Sequence, residues 1–326
     1  MTDSSDLTRA AAAFWDREHQ QPFQGNWMEA ARSYINAPFG GRWPISWFAE
    51  DFAAGAHFAR ALSIGCGTGS LERFLAQQLC GVVDAFDASM QSIATARSEA
   101  RAAGVLNRIH YFAADFNQVS LPQNTYDIVF FHQSLHHVSR IEKLLSEVLR
   151  SLRPDGLLYL DEYVGPSRVD WKRPLLRDAR AVHAEIPASC RIHDELLYPI
   201  QPDDPSEGIR SGDILAEVRT GFRITDFRGY GGNILAVLYP EVRWESAPES
   251  LLPKLVEADA ETAARNGSYC AVIIARPRRG AGRVVALARY VLSAGWFRFR
   301  LRVFLKPKLL RVRLGLLRRM GFEAKW

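Results

Sequence analysis

The chain has 326 residues, of which 48% are hydrophobic, which is typical of a globular protein with one large domain or two smaller ones. Its four cysteines lack the spacing of a zinc or redox site, and no uncharged apolar run is long enough to cross a bilayer. The charge is uneven: from residue 277 onward there are fourteen Lys and Arg against one acid, whereas residues 1–276 carry a net charge of about −8.

In chain order, two helices are predicted first, at 4–20 and 26–37, and an aromatic-rich connection follows at 40–48. Apolar strand-like segments then alternate with amphipathic ones. The strands are ARALSIG, GVVDAFDAS, RIHYFAADF, YDIVFFHQS and LLYLDEYVG. The helices include SLERFLAQQL, MQSIATARSEARAAG and RIEKLLSEVLRSLRPDG, the last expected to end at Pro154 and Gly156. Apolar strands alternating with helices predict a doubly wound, mostly parallel α/β sheet that is covered on both faces.

The rest of the chain continues this alternation after an interruption. Residues 163–209 contain several prolines and little periodicity, which predicts a lid or acceptor region. A helix (SGDILAEVRTGF), a strand (RITDFRGYG), a long helix and the strand SYCAVIIARP follow. We therefore expect an N-terminal helical cap at 1–58, a sheet domain at 59–276 and a basic amphipathic extension at 277–326.

Three glycines at alternate positions, Gly65, Gly67 and Gly69, follow the first strand. Glycine permits unusual backbone angles and close approach of a ligand, and this edge of an open α/β sheet is where ligands bind. The Lys and Ser or Thr of a phosphate loop are missing, and the glycine spacing does not fit a dinucleotide site. Asp87, at the end of the second strand, is placed to bind ribose hydroxyls. Asp115, with the aromatic residue after it, is placed to hold an adenine, so the pattern accounts for a nucleoside and not for a pyrophosphate.

The motifs LSIGCGTG, VDAFDAS, AADF, YDIVFFHQSLHHV and VLRSLRPDGLLYLDEY resemble those of class I S-adenosylmethionine-dependent methyltransferases, in the family's order. The resemblance is close over roughly residues 45–165. It implies a seven-stranded Rossmann-like sheet whose last strand is antiparallel, with S-adenosyl-L-methionine as cofactor. The family's site roles, transferred by position, imply that the glycines flank the methionine part and that Asp87 binds the ribose. They also imply that Asp115 and Phe116 bracket the adenine and that His132 and Gln133 lie under the sulfonium. The expected cofactor-binding residues are Ser63, Gly65, Cys66, Gly67, Gly69, Asp87, Ala88, Asp115, Phe116, His132 and Gln133.

One position departs from the family pattern. The family often has an acid two residues before the first glycine, where this chain has Ser63. A hydroxyl or a water molecule would then have to substitute in recognising the amino group of the cofactor.

Catalysis needs mainly alignment, because the methyl donor is already activated, and a base helps if the acceptor is a hydroxyl. His136 and His137, just past the fourth strand, are the candidate bases, and we favour His136. The competing interpretation is that one of them packs against or caps the next helix. Glu162, at the end of the fifth strand, would hold or deprotonate the acceptor, or would bond to the lid. No metal is expected, because no carboxylate shares the local spacing of these histidines.

Other residues have a structural and a functional interpretation. The lid histidines His183 and His193 are expected to be structural or on the surface. Gly231 and Gly232 would form either a turn over the acceptor pocket or a plain turn. A pair of tryptophans, Trp43 and Trp47, would close the cofactor site or belong to the core.

The basic segment 281–320 mixes arginines with leucines and aromatics. It predicts an interfacial helix on an anionic membrane, or else a partner or homodimer contact; nucleic acid binding is less favoured. The free thiols and the polar N-terminus predict a cytoplasmic protein, at the inner face of the membrane if the tail binds lipid.

The leading hypothesis is a methyltransferase that methylates an oxygen of a small-molecule or lipid- or glycan-linked acceptor. The motifs EYVGPSR, DPSEGIRS and YGGNILAVL resemble a bacterial group of such enzymes associated with cell-surface glycans. The alternative is a non-catalytic scaffold or regulator that binds S-adenosylmethionine. The glycine spacing opposes a third candidate, a nicotinamide dehydrogenase.

Overall fold

A computed structural model describes residues 4–18, 27–170, 173–196 and 204–293. The strands in this part of the chain are β1 (Phe58–Ile64), β2 (Cys80–Asp87), β3 (Ile109–Ala113), β4 (Tyr126–His132), β5 (Leu152–Tyr163), β6 (Phe222–Gly229) and β7 (Cys270–Pro277). They form one seven-stranded sheet in the order β3-β2-β1-β4-β5-β7-β6. β7 is antiparallel to both β5 and β6, and the other neighbouring pairs are parallel. The predicted fold class is confirmed.

Helices cover both faces of the sheet. They are α1 (Ser4–Glu18), α2 (Trp27–Ala30), α3 (Arg32–Asn36), α4 (Pro44–Trp47), α5 (Ser70–Gln78), α6 (Met90–Ala102), α7 (Ile141–Ser151), α8 (Arg173–Glu185), α9 (Ile214–Gly221), α10 (Leu235–Leu238), α11 (Leu251–Asn266) and α12 (Ala281–Ser293). The predicted N-terminal helix at 26–37 is thus divided into two short helices.

The apolar strands supply two cores, one on each face of the sheet. In β4, Ile128 and Phe130 belong to one core and Val129 and Phe131 to the other, because side chains alternate along a strand. Full burial of each such side chain stabilises the fold by roughly 1.5–3 kcal/mol. A sheet buried on both faces leaves the carboxyl ends of its parallel strands as the edge where loops and ligands meet.

Some predicted boundaries are corrected by the structure. α7 ends at Ser151 and not at Pro154, because Leu152 already pairs with Tyr126 in the sheet. β3 ends at Ala113, two residues before Asp115. The lid region, expected to have little regular structure, contains helix α8.

The first part of the basic extension is helix α12, which packs on α7 and α9. Tyr290 is buried there, and Arg283 Nη2 donates to the carbonyl of Leu149 at 2.8 Å. Residues 294–326, which include most of the predicted membrane or dimer segment, lie outside the described residues. None of the helices in the described ranges combines the length and apolar character that a membrane crossing requires.

The Gly231–Gly232 turn is held by Asp259 of α11. Both glycines have positive φ angles, 88° and 80°. The buried Asp259 carboxylate accepts hydrogen bonds from the backbone N–H groups of Gly232 (3.0 Å), Ile234 (2.6 Å) and Leu235 (2.9 Å). Tyr34 from α3 donates to the same carboxylate at 3.0 Å. This turn therefore ties α3, α10 and α11 together and has a structural role.

We expect Asp259→Ala to lower the free energy of unfolding by about 3–5 kcal/mol, because three buried backbone N–H groups and the half-buried Tyr34 hydroxyl lose their acceptor. Glu257→Ala, an exposed position on the same helix, is the matched control and should change it by less than about 0.5 kcal/mol. Urea unfolding measures both. Equal, small effects of the two substitutions would contradict the structural role of Asp259.

Candidate functional site

The glycine-rich loop that connects β1 to α5 uses its three glycines differently. All have positive φ: 76° at Gly65, 50° at Gly67 and 78° at Gly69. A Cβ at Gly65 would overlap the Ser134 side chain, and one at Gly69 would overlap the Tyr111 hydroxyl. A Cβ at Gly67 would meet nothing within 4 Å. Two of the glycines make room for the protein itself, and only Gly67 faces open space.

Asp87, at the end of β2, bonds directly to this loop. Its Oδ2 accepts a hydrogen bond from Gly67 N, and its Oδ1 accepts one from Ser89 N, both at 2.9 Å. The carboxylate and the open glycine, which the sequence separates by 20 residues, therefore share one wall.

A cavity of about 210 Å³ lies at the carboxyl ends of β1, β2 and β4. Eight of the eleven predicted cofactor residues line it: Gly65, Cys66, Gly67, Asp87, Ala88, Phe116, His132 and Gln133. Of the predicted catalytic residues, His137 lines it, whereas His136 and Glu162 do not. Burial raises the pKa of the Cys66 thiol, so Cys66 is not a thiolate at neutral pH.

The other three predicted cofactor residues, Ser63, Gly69 and Asp115, do not line this cavity. Ser63 is buried beneath the loop, and Gly69 packs against Tyr111. Asp115 accepts hydrogen bonds from Thr8 Oγ1 and from its own loop at Asn117 N, both at 2.8 Å. Trp43 and Trp47 do not line the cavity either, and Trp47 is buried against Phe39.

Glu72 of α5 is a cavity residue that the sequence analysis missed. Its side chain is fully buried, and Ser63 Oγ donates a short hydrogen bond to Glu72 Oε1. The other oxygen, Oε2, has no hydrogen-bond partner. Burial raises the pKa of this carboxyl to about 7. An acid on the apolar face of α5, beside Leu71 and Leu75, was the signal available in the sequence.

Helix α1 covers the cavity, which the sequence did not predict. Ala11, Ala12 and Trp15 contribute to its wall. Two hydrogen bonds hold the helix to the sheet domain, one on each side of these three residues. Thr8 bonds to Asp115, and Ser89 Oγ forms a short bond to Asp16. The N-terminal cap is therefore part of the site.

The floor of the cavity is a polar chain at the ends of β4 and β5. Gln133 Nε2 donates to the Tyr230 hydroxyl at 3.0 Å, and Tyr230 in turn donates to Asp161. His132 Nε2 lies 3.5 Å from Asp161 Oδ2. Gln133 has a φ of 52°, a left-handed conformation that is uncommon for a residue with a side chain.

His136 and His137 lie in the short turn Leu135–His137 after β4. Glu162 accepts hydrogen bonds from Ser134 N and Leu135 N, both at 2.6 Å, and lies 2.8 Å from His136 Nδ1. Burial lowers the pKa of His136, but the carboxylates of Glu207 and Glu162 outweigh it and raise the pKa to about 9. The pKa of His137 is lowered by burial and by His136. Glu162 therefore holds this turn, and it does not line the cavity.

The lid brings further polar groups to the two histidines. His137 Nδ1 lies 2.9 Å from Ser206 Oγ, and Ser206 Oγ donates to Asp204 Oδ1 at 2.6 Å. Glu207 lies 3.8 Å from the Nε2 atom of both His136 and His137. The sequence analysis expected no metal because no carboxylate lies near these histidines in the sequence. That reason is wrong, because the fold brings lid carboxylates, about 70 residues away in the sequence, to the two rings. The sequence showed these residues only as DPSE in an irregular region.

The two remaining lid histidines lie apart from this cluster. His193 Nδ1 pairs with Glu241 Oε2 at 2.8 Å. His183 is buried, and burial lowers its pKa.

Comparison with known proteins adds the following. Residues 62–160 match a family model described as a methyltransferase domain. The chain is 35% identical over 101 residues to a ubiquinone biosynthesis O-methyltransferase of Rhizobium rhizogenes, covering 31% of this chain and 40% of that protein. It is 26% identical over 111 residues to a sterol 24-C-methyltransferase of Gibberella zeae, covering 34% of this chain and 29% of that protein. The matches thus span well under half of these relatives.

Among solved structures, an S-adenosylmethionine-dependent methyltransferase from Mesorhizobium loti has 19% sequence identity and a TM-score of 0.41. That comparison covers 68% of this chain and 91% of the other.

We expect Gly65→Ala to lower the free energy of unfolding by about 2–4 kcal/mol, since it adds left-handed strain and an overlap with Ser134. Gly67→Ala carries the strain alone and should cost about 1 kcal/mol. Urea unfolding of both variants measures the difference. A Gly67→Ala variant as unstable as Gly65→Ala would show that Gly67 does not face open space.

Proposed function

We propose that this chain, in which residues 62–160 form a class I S-adenosylmethionine-dependent methyltransferase domain, transfers a methyl group to an oxygen of a small-molecule or lipid- or glycan-linked acceptor. The predicted family and its cofactor are confirmed by the family match. The relatives act at oxygen and at carbon, so the acceptor atom is part of the proposal. One observation carries it: a single cavity joins the Asp87–Gly67 wall to the His137 side chain.

The residues of the cavity fit S-adenosylmethionine. Gly67 leaves open space at the loop, and Asp87 is placed to bind the ribose. Phe116 lies at the position expected for the adenine. Glu72 has a buried carboxyl oxygen without a hydrogen-bond partner in this wall, where a cationic amino group would pair with it. We propose that Glu72 replaces the acid that the family often carries at the position of Ser63.

The cofactor supplies a sulfonium methyl group, which passes to the acceptor oxygen while the sulfur recovers the bonding electron pair. Alignment of the acceptor is then the main task of the protein. The cavity reaches the histidine pair at His137, whose ring also meets Trp15 edge-on at 6.0 Å. We propose that an acceptor hydroxyl loses its proton at this pair. The candidate base therefore moves from His136, which lies behind the cavity wall, to His137.

The names of two relatives support the choice of acceptor class. Ubiquinone and sterols are lipids, and a lipid-linked acceptor would also suit the predicted membrane contact of the basic extension. Membrane contact and homodimer formation through 281–320 remain predictions. A methyl-transfer assay separates the enzyme from the alternative, a non-catalytic scaffold: extracts incubated with isotopically labelled S-adenosylmethionine and the purified chain should gain a labelled product.

We expect Asp87→Asn to weaken S-adenosylmethionine binding by at least about tenfold, because the ribose loses a charged acceptor. The asparagine keeps one oxygen for the loop, so the fold should be retained, which circular dichroism checks. Isothermal titration calorimetry measures the affinity. Affinity equal to that of the unaltered protein would refute the placement of the cofactor.

We expect Glu72→Gln to weaken S-adenosylmethionine binding at least about tenfold and to leave 5′-methylthioadenosine, which lacks the amino acid part, unaffected. The carboxyl is charged above its pKa of about 7 and neutral below it. In the unaltered protein, S-adenosylmethionine affinity should therefore fall from about pH 7.5 to about pH 6, and 5′-methylthioadenosine affinity should not. Equal losses for the two ligands would contradict a role toward the amino group.

A further inference from the structure

A cluster of three potential metal ligands lies directly behind the cofactor cavity. His136 and His137 come from the turn after β4, and Glu207 comes from the lid. One ligand atom from each of these residues lies within 4.8 Å of the other two. The Nε2 atoms of His136 and His137 are each 3.8 Å from a different oxygen of Glu207. These distances leave room for an ion between the three groups.

We propose that His136 Nε2, His137 Nε2 and the Glu207 carboxylate bind a divalent transition-metal ion. Two imidazoles and one carboxylate are a ligand set that suits Zn²⁺ and related ions and leaves coordination positions open for a substrate. His136 and His137 are nearly buried, whereas the Glu207 side chain is 31% exposed, so an ion has a path from solvent.

Both imidazoles are held from their other nitrogen, as metal-ligating histidines usually are. His136 Nδ1 lies 2.8 Å from Glu162, a carboxylate that can only accept when it is ionised, so Nδ1 carries the hydrogen. His137 Nδ1 faces Ser206 Oγ, whose own hydrogen is donated to Asp204, so Nδ1 donates here as well. Once the ion displaces the Nε2 proton that His136 carries below its pKa of about 9, the Nε2 lone pair of each ring is directed at the cluster.

Asp204 provides a second, independent indication. Its side chain is fully buried, and its Oδ2 has no hydrogen-bond partner although it lies 3.5 Å from His137 Nδ1. Three carboxylates, those of Glu162, Asp204 and Glu207, surround the two rings. A buried carboxylate oxygen without a hydrogen bond is costly, and a dication at the cluster offsets that cost. Binding would displace any proton shared by His136 and the carboxylates.

The consequence for catalysis rests on the proposed function. An acceptor hydroxyl that binds an open position of the ion becomes more acidic and gives its proton to solvent. The resulting oxygen then forms its bond to the methyl group as the sulfur–methyl bond breaks. When the ion is bound, this route replaces the His137 base proposed above: His137 activates the acceptor as a ligand of the ion, and the proton goes to solvent.

The test uses the untagged full-length chain after treatment with a chelator. Calorimetric titration with Zn²⁺, and visible absorption during titration with Co²⁺, should show one ion bound per chain. Glu207→Gln and His137→Ala should each weaken binding at least about tenfold. His193→Ala is the matched control, because His193 and Glu241 form a similar pair with no third ligand among the described residues, and binding should not change. Thermal unfolding checks that each variant is folded.

The absence of stoichiometric binding at millimolar Zn²⁺ and Co²⁺ would overturn the inference, as would unchanged affinity in Glu207→Gln. S-adenosylmethionine titration of the same metal-free protein keeps the two proposals apart. If S-adenosylmethionine binds and the ions do not, the proposed function stands and the metal site is refuted. If the ions bind at the three residues and S-adenosylmethionine does not, the metal site stands and the proposed function fails.

Discussion

The candidate site depends on one buried carboxylate, that of Glu162 at the end of β5. It accepts two backbone hydrogen bonds from the residues after β4 and bonds to the ring of His136. Ser134 in the same turn donates to the carbonyl of Ile64 and fills the space beside Gly65. The side chains of Glu162 and Ser134 together link the ends of β1, β4 and β5. Burying a charge is costly unless its hydrogen bonds are satisfied, and these are. The shape of the cavity and the direction of the histidines both follow from this arrangement.

The titratable side chains of the cavity form two groups, one at each end. Asp87 and Glu72 lie at the loop end, where a cationic cofactor with ribose hydroxyls needs acceptors. His137 lies at the other end, among carboxylates that belong to the lid. In a buried setting such charges interact more strongly than at the surface, because solvent screens them less. The same cavity therefore offers separate environments for a methyl donor and for an acceptor.

Helix α1 covers the cavity, and the lid contacts the two histidines. Trp15 of α1 touches the ring of His137, and Thr8 bonds to Asp115. Asp115 was predicted to hold an adenine, and its partner here is a residue of the cap. A cofactor that reached Asp115 would have to compete with Thr8 for it. Under the proposed function, enclosure of this kind limits water near the methyl donor.

The sequence by itself determined the alternation of strands and helices, the mostly parallel sheet and the loop with Asp87, while the family resemblance implied seven strands with the last one antiparallel. These depend on local signals: strands apolar on both faces, glycines at turns, and an acid at a strand end. It also found His137, which is close in sequence to β4. Only the tertiary structure decided that Glu72 lies beside Ser63 in the cavity wall and that His136 does not line the cavity. It also brings Asp204, Ser206 and Glu207 of the lid into contact with the two histidines. Those contacts join segments 9 to about 70 residues apart, and their distances depend on helix packing and lid placement, which no local pattern encodes.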